Sequence, residues 1–568
     1  MAFANDLPVN NSGKPILQHH ESEEKRGERL LPNVLEKFAA EDPDYVLGMN
    51  AVYDDNGPTP VTFTKVTISQ IDNGVNYMAY WFERVIAENN VAPGETITFY
   101  GLQDFRYLIL EIACMKIGHP LLIARPVNAL VNTVNLMKIT NSRLLFFSGK
   151  YGSQQEDYER LLPGTKMIEI PSMEEMTRSP TKKYPYTKTW EEANRETVLI
   201  IHTSGSTGNP KPIPLNHRYL RRVDKECDLP PVEGRICATI DIIMPGTSVY
   251  IGTNFYHLSG LGFVFCALFR RYTIVFGPVD QLPTGKIAFD MIRSMKFNGL
   301  LMVPSLLDWV FADHGEELKE HLGSLEHVHW LGAPLGQATG DWIINNLPNV
   351  ILWQIYGSTE AFVQPLLISP RSHWNYIEFH PTVGPSLEPI NEEEGLYEVV
   401  IRHHPNPALD WTRPVFDIFP THNEWRMGDV LRRCRDPGFE NCYKFEGRMD
   451  DIITLSTSGK VNPLHIEAAF QTHPLLRACL VFGEGREFCG MLVEPKDYTM
   501  EKEDLINSIW GVLEKVNDSV PATARVRREM IVVSVKERVF PRSSKGAPVR
   551  KLCFGLYEEE IRGCYGGM

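Results

Sequence analysis

Several absences narrow the field before any motif is considered. The ten cysteines stand singly at 114, 227, 237, 266, 434, 442, 479, 489, 553 and 564, with no C-x-x-C pair. That pattern offers neither a zinc framework nor a dense disulfide scaffold, and reduced cysteines in a cytoplasmic protein fit it best. No uncharged apolar run reaches the ~18 residues a membrane span requires, so no membrane association is expected. The opening stretch MAFANDLPVNNSGKP has neither the apolar core of a signal peptide nor the Arg-rich pattern of a transit peptide. Positive charge is in deficit: 57 Lys and Arg against 71 Asp and Glu leave a net charge of -14. Nucleic-acid binders carry a basic face, so no nucleic-acid partner is expected. No Walker A spacing occurs either.

What is present begins with length. A chain of 568 residues exceeds what one hydrophobic core supports, and 43% hydrophobic with 23% charged residues is an ordinary globular balance. Residues 1–28, with the run ESEEKRGER, read as a mobile polar lead-in. Structure is expected from LPNVLEKF, where Leu31, Val34, Leu35 and Phe38 share a helical face and Pro32 suits a first turn. Between 120 and 360, short apolar runs recur ahead of Gly, Ser or Pro: VLII (198–201), TIVF (273–276), LLMVP (300–304) and ILWQI (351–355). Such runs suit strands buried on both faces, as in parallel sheets covered by helices. The polar, Pro-bearing segment 171–197 reads as a surface connection. Near 446–451 the pattern changes. The expected architecture is a large α/β N-terminal domain (29–448) with parallel-rich sheets and a smaller α+β C-terminal domain (449–568). The latter holds the strand candidates ACLVF, GMLVEP and MIVVSV and a helix whose face carries Leu505, Ile506, Ile509, Trp510, Leu513 and Val516.

After VLII the chain continues HTSGSTGNPKPIPL. Glycines let backbone N–H groups curl around an anion, hydroxyls donate to phosphate oxygens, and a lysine adds positive charge. Thr203, Ser204, Gly205, Ser206, Thr207, Gly208 and Lys211 therefore form a candidate polyphosphate loop at a strand end. The bland alternative, a Ser/Gly-rich linker, is disfavoured by the strand before it and the Pro-Lys after it.

T-S-G-S-T-G-N-P-K resembles the phosphate-loop signature of adenylate-forming enzymes, a superfamily that includes acyl-CoA synthetases, luciferases and peptide-synthetase adenylation domains. Later motifs of that family follow in order from about 200 to 550: NFYHLSGLG (254–262), VPSLL (303–307), WLGAPLG (330–336), YGSTE (356–360), WRMGDV (425–430), FEGRMDDIITLSTSGKVNPLHIE (445–467) and RSSKGAPVRK (542–551). The resemblance implies the adenylate-forming fold, ATP and Mg²⁺ as cofactors, and activation of a carboxylic acid to acyl-AMP with release of pyrophosphate. Glu360 is a hard oxygen ligand suited to Mg²⁺; Thr359 can donate to the α-phosphate, and Tyr356 offers a flat face for adenine. The family assigns Asp429 to the ribose hydroxyls, with Arg448 as a second ribose or phosphate contact. It assigns Asp450 to a hinge between two poses of the small domain. In one pose Lys545 reaches the adenylation site; in the other a face including Gly459 meets a thiol acceptor. Here the arginine after the lysine is displaced to five positions later, which leaves Lys551 as a rival to Lys545.

Phe255, His257, Leu258, Trp330, Gly332 and Ala333 fall on the acid-pocket segments. Leucine at 258, where amino-acid-activating relatives carry an Asp, cannot pair with an ammonium group, so an α-amino acid is disfavoured. A partly aromatic pocket with a small floor suits a flat aryl acid. The KGAPVRK spacing and the style of 440–467 are most similar to adenylation domains of fungal peptide-synthetase-like carboxylic acid reductases. That similarity implies transfer to a phosphopantetheine thiol, with carrier and reductase domains in the full-length protein. No Gly-x-Asp-Ser-Leu carrier signature and no NADPH-type G-x-x-G-x-x-G occurs here, so the expectation is an excised adenylation domain or a carrier supplied in trans. A stand-alone aryl- or acyl-CoA ligase is the alternative, and a regulatory nucleotide-binding protein the third. His327-x-His329 places two rings on one side of a strand and reads as packing or a surface pair, not as a metal pair.

Overall fold

The computed structural model describes residues 25–53, 60–126, 128–204, 210–238, 243, 245–449, 452–456, 460–470, 473–518, 520, 524–542 and 548–566. The chain divides into two compact units, residues 1–386 with 401–425 and residues 387–400 with 426–568. The smaller unit thus takes in residues 387–400 and 426–448 together with the segment read from sequence as a domain.

The larger unit is built on β1 (Val46–Tyr53), β2 (Pro60–Thr67), β3 (Ile97–Tyr100), β4 (Leu121–Ile123), β5 (Leu144–Phe147), β6 (Lys166–Glu169), β7 (Thr197–Ser204), β8 (Pro210–Asn216), β9 (Ser248–Gly252), β10 (Thr273–Phe276), β11 (Gly299–Met302), β12 (His327–Leu331), β13 (Ile351–Ile355), β14 (Gly357–Ser358) and β15 (Phe362–Val363). A seven-stranded sheet runs β13-β12-β11-β9-β10-β1-β2, parallel except for the β1–β2 pair. A six-stranded sheet runs β6-β5-β3-β4-β7-β8, parallel except for β7–β8. The runs TIVF, LLM and ILWQI occupy β10, β11 and β13 as their continuous apolar character requires, since a strand covered on both faces has no solvent side. The helix Arg106–Ile117 is apolar almost all round and correspondingly buried along nearly its whole length.

Local signals set many element ends. The helix Leu31–Glu41 carries Pro32 in its first turn and buries Leu31, Val34, Leu35 and Phe38. Thr67 and Gln70 form a capping box that starts the helix Ile68–Glu88. Two expectations change. Residues 1–24 lie outside the described residues, but the end of the lead-in is held in place: Gly27 N–H donates to Asp224 at 2.6 Å, Arg29 pairs with Asp224, and Arg26 pairs with Asp228 at 3.0 Å. Segment 171–197 is more than a connection. It holds short helices at Met173–Arg178 and Trp190–Ala193, and Asn73 Nδ2 donates to Met176 O and Ser179 O at 2.9 Å each. In both cases the partner lies about a hundred residues or more away, beyond the reach of a periodicity.

In the smaller unit, Leu476–Phe482 pairs antiparallel with Cys489–Pro495, which pairs parallel with Val526–Val533. The helix Lys502–Asp518 buries Leu505, Ile506, Ile509 and Leu513, with Trp510 and Val516 partly covered. The ten cysteines form no disulfide, and among the described residues no helix is long and apolar enough to cross a membrane.

Candidate active site

Strand register aligns the motifs. Gly252, Met302, Trp330 and Gln354 are neighbours across β9, β11, β12 and β13. Segments 253–258, 303–307, 332–336 and 356–360 therefore leave the seven-stranded sheet along one edge. Carboxyl ends of parallel strands are where open α/β sheets place their ligands.

Residues 356–360 turn through a tight hairpin instead of starting a helix. Gly357 and Ser358 pair antiparallel with Val363 and Phe362, and Thr359, Glu360 and Ala361 form the turn. Glycine is required at 357, because a Cβ there would stand 2.2 Å from Phe362 O. Phe362 itself adopts φ 59°. Beneath the turn lies Tyr219, on the helix His217–Lys225 that follows β8. Its Oη donates to Thr359 O at 2.6 Å and its ring meets Phe362 edge-on at 5.6 Å. Burial, and then the negative charge of Glu360, push the Tyr219 phenol well above its ordinary range. Tyr219 was invisible to the sequence reading, since a lone Tyr in NHRY carries no motif. Tyr356 is only 5% exposed and packs edge-on against Phe379, so most of its ring is covered by protein.

The phosphate-loop candidate is the tip of the β7–β8 hairpin. Gly205, Ser206, Thr207 and Gly208 lie outside the described residues, but register places Thr203 opposite Lys211 and Ser204 opposite Pro210. Lys211 is exposed and Thr203 half-buried. β7 runs parallel to β4, and Arg125, two residues past β4, joins β7 to a segment of the other sheet: its Nη2 donates to His202 O at 3.1 Å and to His257 Nδ1 at 3.4 Å. The phosphate-loop strand and the acid-pocket segment therefore meet at these residues.

The acid-pocket set is divided. His257 caps the helix Leu258–Arg270, with His257 and Leu258 half-buried. Gly260 fits its first turn because a Cβ would stand 2.2 Å from Asn254 O. Gly332 and Ala333 are exposed after β12, Gly332 with φ 89°. Phe255 and Trp330 correct the sequence reading. Phe255 is fully buried, stacked on Phe276 at 4.0 Å, and Trp330 is 1% exposed in the core beside Trp374. A side chain with no open surface lines no open pocket; both are core aromatics. His327 and His329 are likewise core, their rings in mutual contact on one side of β12, with burial holding His327 down to about 3.

In the smaller unit Asp429 and Arg448 are cross-strand neighbours. Arg448 Nη1 donates to Asp429 Oδ1 at 2.7 Å, with Asp429 buried and Arg448 exposed. The two residues assigned to the nucleotide thus form a pair with one another. Asp450, Gly459 and Lys545 lie outside the described residues. Lys551 is exposed in the first turn of the helix Arg550–Leu556, beside an Arg550 held by both oxygens of Glu467 at 2.8 and 2.9 Å.

Comparison with known proteins bears on the same segments. A family model described as AMP-binding enzyme matches residues 36–390, and one described as AMP-binding enzyme C-terminal domain matches residues 450–568. An isocyanide synthase-NRPS hybrid, crmA, of Aspergillus fumigatus is 26% identical over 95% of this chain and 34% of its own length. A carboxylic acid reductase of Neurospora crassa is 27% identical over 87% of this chain and 47% of its own length. An adenylate-forming reductase of Aspergillus terreus is 23% identical over 96% of this chain and 50% of its own. The chain therefore spans a third to a half of these curated relatives. In fold, it is similar to an anthranilate CoA ligase, AuaEII, solved with anthranoyl-AMP: TM-score 0.66 and 16% identity, covering 95% of this chain and 98% of that one. Since the AMP-binding model runs through every strand-end segment of the seven-stranded sheet, the chain belongs to the AMP-binding, adenylate-forming enzymes, the ligases that activate a carboxylic acid as its acyl-AMP.

Proposed function

We propose that this chain is the adenylation part of a carboxylic-acid-reductase-like protein, activating an aryl acid and passing it to the phosphopantetheine thiol of a carrier domain. The observation that carries the adenylation reading is the Thr359–Glu360 turn, held from beneath by Tyr219 at the aligned strand ends. A half-buried carboxylate on a braced turn fits Mg²⁺, which accepts one or two protein carboxylates and keeps its waters. When bound, the ion supplies positive charge on phosphate oxygens, and Glu360 would hold it.

In the proposed reaction the loop from Thr203 to Gly208 and Lys211 receive the ATP phosphates, and Asp429 with Arg448 receives the ribose. A carboxylate oxygen attacks the α-phosphorus, a P–O bond forms, and the bond to pyrophosphate breaks. Thr359 donates to the α-phosphate and Lys545, with Lys551 as its rival, neutralises developing charge; catalysis is positioning and electrostatics. Asp450 serves as the hinge and the Gly459 face meets the thiol.

Leu258 supports an acid without an α-ammonium group, and Gly332 and Ala333 add no bulk. With Phe255 and Trp330 in the core, support for an aryl acid rests on these small and apolar positions. The carrier assignment is supported by the reductase names and greater lengths of the relatives. It is tested by incubating the protein with ATP, Mg²⁺ and an aryl-acid panel, adding either a holo-carrier domain from the reductase relative or free CoA. Acylated carrier by intact mass is expected. Acyl-CoA with unloaded carrier would replace this reading with the CoA-ligase one.

A further inference from the structure

Arg125 is 8% exposed, yet among the described residues no carboxylate answers its charge; burial lowers its pKa and the Tyr256 phenol only partly offsets this. Its Nη2 reaches His202 O and His257 Nδ1, but its Nε–H is buried with no partner among the described residues. A guanidinium only donates, so His257 Nδ1 is an acceptor here and the ring proton sits on Nε2. His202, 5% exposed, takes Asn128 Nδ2 on its Nε2 at 3.2 Å, which leaves its proton on Nδ1. That Nδ1 is also buried with no partner among the described residues. Burial, and then the charge of Arg125, hold His202 down to about 3, so it is neutral near pH 7. Two hydrogen-bonded neighbours thus each keep one buried donor unanswered, and one of them is a cation. Buried donors are almost always paired, so this arrangement asks for an acceptor, and the cation asks for an anion.

Two anions come to this part of the molecule if it forms acyl adenylates, and the inference rests on that reading. His202 immediately precedes Thr203 of the phosphate loop, whereas Arg125 itself touches His257, which opens the acid-pocket helix. The phosphates already have the loop and Lys211. We propose that Arg125, with His202 beside it, receives the reacting carboxylate of the acid and holds it for attack on the α-phosphorus. His257 is the half-exposed member of the trio and so marks the side of entry. The charge has a consequence for turnover. Once the oxygen has attacked, the acyl carbonyl is uncharged, so the guanidinium grips the acid more strongly than the acyl-AMP.

The test is acid-dependent ATP–pyrophosphate exchange in wild type, Arg125→Met and Arg125→Lys, varying acid and ATP separately. A hydrogen bond to a charged group is worth a factor of about 10–100. Arg125→Met should raise KM for the acid by about that factor and leave KM for ATP within about threefold. Arg125→Lys should recover part of the loss. Affinity for an adenosine 5′-alkyl phosphate, an adenylate mimic with no carboxylate charge on its acyl side, should change little. Wild type alone supplies a second measurement that needs no variant to fold: the primary amide of the acid should compete at least about tenfold more weakly than the acid binds. An unchanged acid KM in Arg125→Met, an equal rise in KM for ATP, or an amide that binds as well as the acid would overturn the assignment while adenylation stands. No exchange in wild type with any acid would overturn both.

Discussion

Gly357→Ala tests how the fold holds its reacting turn. A Cβ at 357 would stand 2.2 Å from Phe362 O, whereas ordinary contact begins at 3.4 Å. The β14–β15 pair must therefore open by about 1 Å, and the turn it carries holds Thr359 and Glu360. Slack is scarce, because Phe362 already adopts φ 59° and Tyr219 is bonded to Thr359 O. Overpacking of this kind costs about 1–3 kcal/mol, which leaves a large unit folded. Misplacing catalytic groups by about 1 Å costs on the order of a hundredfold in rate. Gly357→Ala should thus lower kcat for acid-dependent ATP–pyrophosphate exchange by about 100-fold, with near-native circular dichroism. Gly511→Ala, where nothing lies within 4 Å of the new methyl group, is the control and should keep full activity. Exchange within about threefold of wild type in Gly357→Ala would refute the claim that this turn positions the reaction.

Other perturbations follow from the same geometry. Glu226 is buried between Arg222 at 3.3 Å and Arg270 at 2.9 Å, so Glu226→Gln removes the negative charge that faces two buried cations and should destabilise the larger unit by about 3–5 kcal/mol in urea titrations; a loss under about 1 kcal/mol would contradict this. Asp429→Asn should raise KM for ATP about tenfold or more and leave KM for the acid unchanged, read from separate substrate titrations of exchange. Burial lowers His202 and His327 to about 3 and His217 to about 4, while in the unfolded chain each titrates near 6.5. Between those values the unfolded state binds more protons, so stability falls as pH drops below about 6.5. Calorimetry in buffers of different ionisation enthalpy should find a net uptake of about two to three protons on unfolding near pH 5.5, and no uptake would contradict the buried neutral rings.

The parallel-rich larger unit was legible because buried parallel strands write themselves as unbroken apolar runs, as in TIVF and LLM. The order of the strand-end segments was legible because each carries its own residues. What escaped depended on distant partners. Phe255 and Trp330 have the composition of a binding pocket, but Phe276 and Trp374, which cover them, are not near them in sequence. Tyr219 braces a turn 140 residues downstream and belongs to no motif. Arg125 is a single arginine after a short strand, and only the approach of the two sheets sets it against His257. The Asp429–Arg448 pair was hidden for the same reason, since each residue was assigned singly and the hairpin register joins them.

The decisive experiment is ATP–pyrophosphate exchange with wild type and Lys545→Ala across benzoic, hydroxybenzoic, cinnamic, fatty, α-amino and betaine-type acids. Exchange that depends on one class of acid, strongest with an aryl acid and lost in Lys545→Ala, is the predicted result. Measurable ATP binding without exchange for any acid would contradict it.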